Sequence, residues 1–382
     1  MNPTRRDFLK TSAAAGGALG LGLAAAPFRP ARGQAQAGPR SAGQAAPMRI
    51  LILGGTSFLG PHQIRYALER GHSITTFTRG QTTPRMFPEV FDRVEQLVGD
   101  RENDLRALEG RTWDAVIDNS GQRVEWARDS AQLLENATES YLFVSSTGVY
   151  LPYLTTDLEE TTQPLLADDP PRDQPSYGVM KALSEIEVEK AYGERALVIR
   201  PQYIVGPGDR SDRFPYWPMR MERGGEILVP GKKDDQVMLI DVRDLTEWMI
   251  HLLENRVTGV YNAAGPASRL SMAEFVYGVR ACFSTSLSFT WIEDYEFLME
   301  HRLRYAIPWV MPVENALGQA QINIDKALAA GLTFRPLATT TTDVFDWWYS
   351  DAVDEEHRQN PRFVLTPERD AEILAAWKAR AP

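Results

Sequence analysis

Tyr177 and Lys181 stand four residues apart in "SYGVMK", so on a helix they share a face. A tyrosine phenol normally keeps its proton up to pH ~10. A neighbouring ammonium stabilises the phenolate and brings it toward acid–base work at neutral pH. Upstream, "FVSSTGVY" supplies hydroxyls at the end of a predicted strand, and Ser146 is well placed to hydrogen-bond a substrate oxygen beside the tyrosine. Tyr-x-x-x-Lys spacing alone is common by chance and also fits a surface pair. Its place after a glycine loop, a parallel-sheet pattern and a Ser/Thr cluster makes it specific.

The glycine loop is "ILILGGTSFLG", Ile50 to Gly60. It follows a predicted strand and opens a predicted helix, the context in which helix N-terminal amides meet a pyrophosphate. Gly54 and Gly55 allow the tight turn, and Gly60 allows close packing of helix on strand. Thr56, Ser57, Phe58 and Leu59 complete the loop. Ser57 occupies the position where such loops often carry a middle glycine. Its hydroxyl and amide can face phosphate, while its bulk restricts the approach. The second strand ends in "FTRG", where Arg79 can pair with a 2′-phosphate and tilts the cofactor toward NADP over NAD. After the third strand, "VGD" places Asp100 within reach of an adenine.

These residues need a scaffold. From Arg49 onward, apolar runs alternate with helical patterns through "RVEQLVG", "DAVIDNSG", "YLFVSSTGVY" and "ALVIRPQYIVGPG". That alternation predicts a doubly wound parallel sheet with helices on both faces, an α/β fold of Rossmann type. After about Gly206 the regularity weakens and prolines and aromatics become frequent. The expected organisation is a segment 1–37 removed on export, a linker over 38–47 and a Rossmann domain over 48–205. A smaller, mainly substrate-binding lobe follows over 206–350, then a C-terminal extension over 351–382. "VTGVYNAAGP" reads as a late strand near 257–264 that returns to the sheet.

The 382 residues carry a net charge of −10, which argues against nucleic acid. "TRRDFLK" precedes a short, weakly apolar run and "AQA", the pattern of a twin-arginine export signal rather than a membrane anchor. Cys282 is the only cysteine, so no intramolecular disulfide forms, which fits folding before export. It is expected to be a small buried hydrophobe in a helix. The five histidines show no metal-ligand spacing, and no metal is expected. His62 is expected at the surface. Tyr216 and Trp217 can stack on sugar rings, the Trp347–Trp348 pair reads as core, and Asp241 as structural.

The chain resembles an extended short-chain dehydrogenase/reductase of the NAD-dependent epimerase/dehydratase family. The resemblance spans about Met48 to Tyr349 and rests on "GGTSFLG", "SSTGVY", "YGVMK", "RPQYIVGPGD", "LIDVRDL" and "VYNAAG". It implies a bound nicotinamide cofactor and a sugar or nucleotide-sugar substrate. Tyr177 is then the acid/base, Lys181 tunes it and binds the nicotinamide ribose, and Ser146 orients the reacting hydroxyl. Arg200 and Pro201 follow the sixth strand beside the nicotinamide.

Three features depart from the family pattern: Ser57, the polar turn Asp118–Asn119–Ser120, whose atoms lie near the cofactor, and a missing asparagine around "WARDSAQLLE". The combination of "GGTSFLG" and "FTRG" resembles the atypical branch that includes chloroplast stem-loop-binding proteins. Export to a compartment poor in free cofactor favours tightly held NAD(P) and a redox-neutral epimerase-type cycle. The alternatives are a reductase with exchangeable NADP, or a non-catalytic cofactor- or RNA-binding relative. Expected partners are a sugar-type small molecule and the Tat export machinery, without nucleic acid. A homodimer is open as the assembly, and the expected destination is periplasmic or extracellular.

Overall fold

A computed structural model describes residues 46–119, 121–168 and 170–380. The expected export segment, most of the linker and Ser120 lie outside the described residues. Seven strands form the central sheet: β1 (Arg49–Leu53), β2 (Ser73–Thr78), β3 (Glu95–Val98), β4 (Ala115–Asp118), β5 (Ser140–Val144), β6 (Ala196–Pro201) and β7 (Gly259–Ala263). Their order is β3-β2-β1-β4-β5-β6-β7, and every pairing is parallel. The order reverses between β1 and β4, and at such a switch point the strand ends leave a crevice for a ligand.

The apolar runs are continuous because both sheet faces are covered. Along β1, Ile50 and Ile52 point to one face, where α1 (Leu59–Glu69) contributes Ile64 and Ala67. Leu51 and Leu53 point to the other, against Ala127, Ala131 and Leu134 of α2 (Val124–Leu134) and Val188 of α3 (Tyr177–Tyr192). Another helix, α4 (Val242–Glu254), adds Leu245, Trp248 and Met249 to the α1 face. The chain therefore returns to the sheet through α4 and β7 well beyond residue 205.

The smaller lobe pairs strand Gly225–Pro230 in parallel with Leu287–Ile292. Helices Tyr216–Arg223, Met272–Arg280 and Leu337–Trp348 close over that pair around one apolar cluster. Tyr216 and Trp217 lie inside this cluster, and the Trp217 indole donates to Ile307 O at 2.9 Å. They are core residues, contrary to a sugar-stacking role. Trp347 and Trp348 are buried in the same cluster. Cys282 is half-buried just beyond its helix rather than inside it.

The C-terminal extension is part of this lobe. Ile373 and Leu374 of helix Pro367–Arg380 enter its core, and Asp370 accepts from Arg220 Nε at 2.8 Å. Asp241 caps α4 by accepting from the Arg243 N–H at 2.9 Å, and it also accepts from Thr340 at 2.7 Å. It thereby joins the sheet layer to the lobe. No described helix is long and apolar enough to cross a membrane.

Candidate active site

Two cavities meet at the switch point. One, about 320 Å³, is lined by Gly54, Thr56, Ser57, Phe58 and Leu59, with Arg79, Asp100, Arg101 and Trp126. The other, about 810 Å³, is lined by Ser146, Tyr177, Lys181 and Pro201. They share Ser57, Phe58, Leu59, Asn119 and Gln122. Each falls within the volume range typical of small-ligand sites.

The glycine loop is shaped by backbone contacts. Gly54 has φ of 81°, a left-handed conformation that costs glycine little. A Cβ on Gly60 would sit 2.1 Å from Gly55 O, so the start of α1 lies directly on the loop backbone. Gly55 and Gly60 thus serve this packing and do not line the cavity, while Gly54 and Thr56 to Leu59 do. Ser57 is exposed at the loop, and its carbonyl accepts from the Gly60 N–H at 3.0 Å. Arg79 is exposed, and Asp100 caps its own turn by accepting from the Glu102 N–H at 3.0 Å.

Tyr177 begins α3, and Ser146 ends the segment after β5. A second close approach brings them together. A Cβ on Gly178 would meet Gly148 O at 2.1 Å, and one on Gly148 would lie 3.4 Å from the Tyr177 ring. Ser146 Oγ accepts from the Gly148 N–H at 3.0 Å, which leaves its own hydrogen free to donate to the phenol. Burial of the phenol raises the Tyr177 pKa above the ordinary tyrosine value, opposed by the Ser146 hydrogen bond and by the charge of Arg213. The residue as a whole is 56% exposed, so solvent reaches it from the cavity.

Lys181 differs from the expectation. It is 2% exposed, and its ammonium donates to Gly121 O at 3.0 Å and Val144 O at 2.9 Å. It lies 5.9 Å from the Tyr177 ring centre, and the cationic charge acting on that phenol comes from Arg213. Burial lowers the Lys181 pKa to about 8, with Asp118 opposing. Two of its three N–H bonds are taken, leaving one donor for the cavity it lines.

Other expected residues divide. Pro201 lines the larger cavity, but Arg200 does not. The Arg200 guanidinium is buried against Glu185, at 3.0 and 2.6 Å, and donates to Tyr150 OH at 2.6 Å. Alternation along β6 sends neighbouring side chains to opposite faces, so Pro201 reaches the cavity and Arg200 a buried ion pair. Asp118 is likewise turned away from the cavities, bonded to Arg101 and accepting from Tyr141 OH at 2.8 Å. Asn119 lines both cavities and exchanges two hydrogen bonds with Gln63, at 3.1 and 2.6 Å.

One wall of the Tyr177 cavity, between Gln202 and Arg213, was not legible as a site in the sequence. Gln202, Tyr203, Asp209 and Arg213 line the Tyr177 cavity. Gly206 and Gly208, with φ of 131° and 96°, bracket Pro207 and were the signal of a tight turn. His62 holds that turn: its Nε2 lies 2.8 Å from Pro207 O, the other ring nitrogen has no partner, and burial lowers its pKa to about 4. It is 2% exposed, which corrects the surface expectation.

A doubly wound sheet with a glycine loop at its switch point, and a Tyr-x-x-x-Lys helix bordering the same crevice, is the architecture of the extended short-chain dehydrogenases/reductases. The family model described as NAD dependent epimerase/dehydratase matches residues 50–264, and the chain belongs to that family. A twin-arginine translocation signal model matches residues 2–22, which points to export by that route.

Chloroplast stem-loop binding protein of 41 kDa b from Arabidopsis thaliana is 27% identical over 57% of this chain. The chain spans 58% of that protein's length. The Bordetella bronchiseptica enzyme WbmG, solved with NAD and UDP, aligns with a TM-score of 0.59 and 18% identity, over 79% of this chain and 94% of WbmG. Human epimerase family protein SDR39U1, solved with NADPH, aligns at 0.53 and 20%, over 78% and 99%. The two structures share the fold.

Proposed function

We propose that this chain is an exported NAD(P)-dependent enzyme of epimerase/dehydratase type, acting on a sugar or nucleotide sugar with Tyr177 as acid/base. The observation that carries the reading is that Tyr177, Ser146 and Lys181 line one cavity, which shares Ser57 to Leu59 with the cavity of the glycine loop. The cofactors of WbmG and SDR39U1 support it.

The residues fit a dinucleotide. The Gly55–Gly60 contact seats the N-terminus of α1 beside the cavity that the loop lines. Gly54 and Thr56 to Leu59 would hold a pyrophosphate at the N-terminus of α1. Arg79 would take a 2′-phosphate, which favours NADP slightly, and Asp100 would face the adenine. Asn119 and Pro201 would border the nicotinamide, and the remaining Lys181 N–H would bond its ribose. When bound, the cofactor supplies hydride transfer at a carbinol carbon.

The chain's own residues handle the proton. With a raised pKa, Tyr177 is protonated at neutral pH and can donate to a carbonyl oxygen. The reverse transfer is eased by the Ser146 hydroxyl and by Arg213, both of which favour the phenolate. Ser146 would hold the substrate oxygen beside the phenol. A cycle that returns its hydride to the same substrate needs no recycling partner outside the cytoplasm.

Tyr177→Phe is expected to lower turnover by ~10²-fold or more while cofactor affinity stays unchanged. Unchanged turnover would remove the acid/base role, whereas a wild type with cofactor bound and no turnover would favour a non-catalytic relative. The exposed Arg79 supports a second reading, a reductase with exchangeable NADP. A net change in reduced-cofactor absorbance during turnover would identify it.

A further inference from the structure

The Tyr177 cavity carries two buried acceptor atoms that no group among the described residues meets. Gln202 is 4% exposed and Asp209 3% exposed, and both line the cavity. Gln202 Nε2 donates to Gln319 O at 2.5 Å, but its Oε1 has no partner. Asp209 Oδ1 accepts from the Ser211 N–H at 2.9 Å, but its Oδ2 has no partner. Asp212, three residues on and equally buried, is fully met: its oxygens lie 2.8 Å from His357 Nε2 and 2.7 Å from the Arg362 N–H. The fold therefore satisfies a buried carboxylate in this loop where the loop turns its back on the cavity, and leaves one oxygen open where it lines it.

An unmet buried acceptor costs free energy in the free protein, and such groups are rare without a reason. Relaxation is blocked here. The turn is pinned through Pro207 O by His62, and a Cβ on Gly208 would already lie 3.2 Å from Met86 and 3.5 Å from Phe58. Arg213, the nearby cation, donates to Ser211 Oγ at 2.9 Å rather than to Asp209. Gln202 Oε1 can only accept, and Asp209 Oδ2 accepts while its carboxyl is ionised, so a ligand that meets both must bring proton donors; burial raises the Asp209 pKa, opposed by Ser211 and Arg213. Neither residue lines the cavity that holds Arg79 and Asp100.

We propose that Gln202 Oε1 and Asp209 Oδ2 form a hydroxyl-reading subsite, which accepts hydrogen bonds from a neutral polyhydroxylated ring and positions it in the Tyr177 cavity. The inference rests on the sugar-directed function above and assigns its specificity to these two atoms. They select ligands with adjacent O–H donors and disfavour those presenting only carbonyl, ether or phosphate oxygens.

The test is binding, read by saturation-transfer NMR and calorimetry on the purified exported protein, with and without NADPH. The probes are D-galactose, D-glucose, N-acetyl-D-glucosamine and D-glucosamine. At least one neutral sugar should bind the wild type. Asp209→Asn keeps an acceptor for Ser211 but puts an amide donor at the open position, and should weaken binding ~10-fold or more. Gln202→Leu should act in the same direction. Thermal midpoint and NADPH affinity should be unchanged in both, and if Asp209→Asn unfolds, Gln202→Leu decides.

Absence of neutral-sugar binding in the wild type, or affinity unchanged by the variants, overturns the proposal. Binding of D-glucosamine alone would also overturn it, assigning Asp209 to an ammonium. Sugar binding is measured without turnover. A protein that binds sugar through Asp209 but neither NAD nor NADPH would refute the proposed function and keep this subsite. One that binds NADPH but no sugar would do the reverse.

Discussion

Burial and charge act on the Tyr177 phenol in opposite directions. Burial raises its pKa, and the Ser146 hydrogen bond and Arg213 oppose that rise. Lys181 is held at two carbonyls with a pKa lowered to about 8, so it is cationic at pH 7 and loses its charge as pH rises through about 8. If its remaining N–H binds cofactor, NADPH affinity should fall between pH 7 and 9. Lys181→Met should bind more weakly at pH 7 and show a flat profile over that range, as read by fluorescence titration. A wild-type affinity that does not change through pH 8 would remove Lys181 from the cofactor site. Spacing and order in the sequence put Tyr177, Lys181 and Ser146 on one cavity, but gave no sign that Lys181 is held at two backbone carbonyls. Arg200 was misplaced because a one-residue shift along β6 reverses the face, and its buried partner Glu185 lies on another element.

The elements position the site through two backbone contacts that leave no room for a side chain. One seats α1 on the glycine loop, and the other seats α3 on the turn after Ser146. Gly178→Ala would place a methyl 2.1 Å from Gly148 O, so α3 or the turn must move. A displacement of ~1 Å in a catalytic group can cost ~10²-fold in rate. Overpacking of this kind costs ~1–3 kcal/mol of stability. Gly178→Ala should therefore lose turnover far beyond its loss in urea midpoint, whereas equal and small losses would count against this seating. The first and third glycines of the "GGTSFLG" loop were readable from the strand-to-helix context. The Gly148–Gly178 contact was not, because it joins residues on two elements whose crossing only the fold defines. The "GPGDR" wall was hidden for the same reason: His62, which fixes its turn, comes from α1.

Across the whole molecule, two layers share the work. The sheet and its helices form the crevice, while the lobe's aromatic cluster, completed by the C-terminal helix, supports the "GPGDRSDR" loop through Asp212 with His357 and Arg362. The parallel sheet was legible because its central strands are buried on both faces and read as apolar runs. The lobe was not: Tyr216 and Trp217 in "FPYWPM" carry no periodicity that distinguishes a ring-stacking surface from a core. The twin-arginine signal bears on this scale, since a chain exported in the folded state can carry a bound cofactor with it. The central claim is that the cavity under the glycine loop holds a nicotinamide dinucleotide. The most direct measurement is to denature protein purified from its exported location, analyse the released small molecules by mass spectrometry, and titrate the emptied or untreated protein with NAD and NADPH. The account predicts released NAD or NADP, or saturable binding of at least one of them. A protein that releases none and binds neither would contradict it.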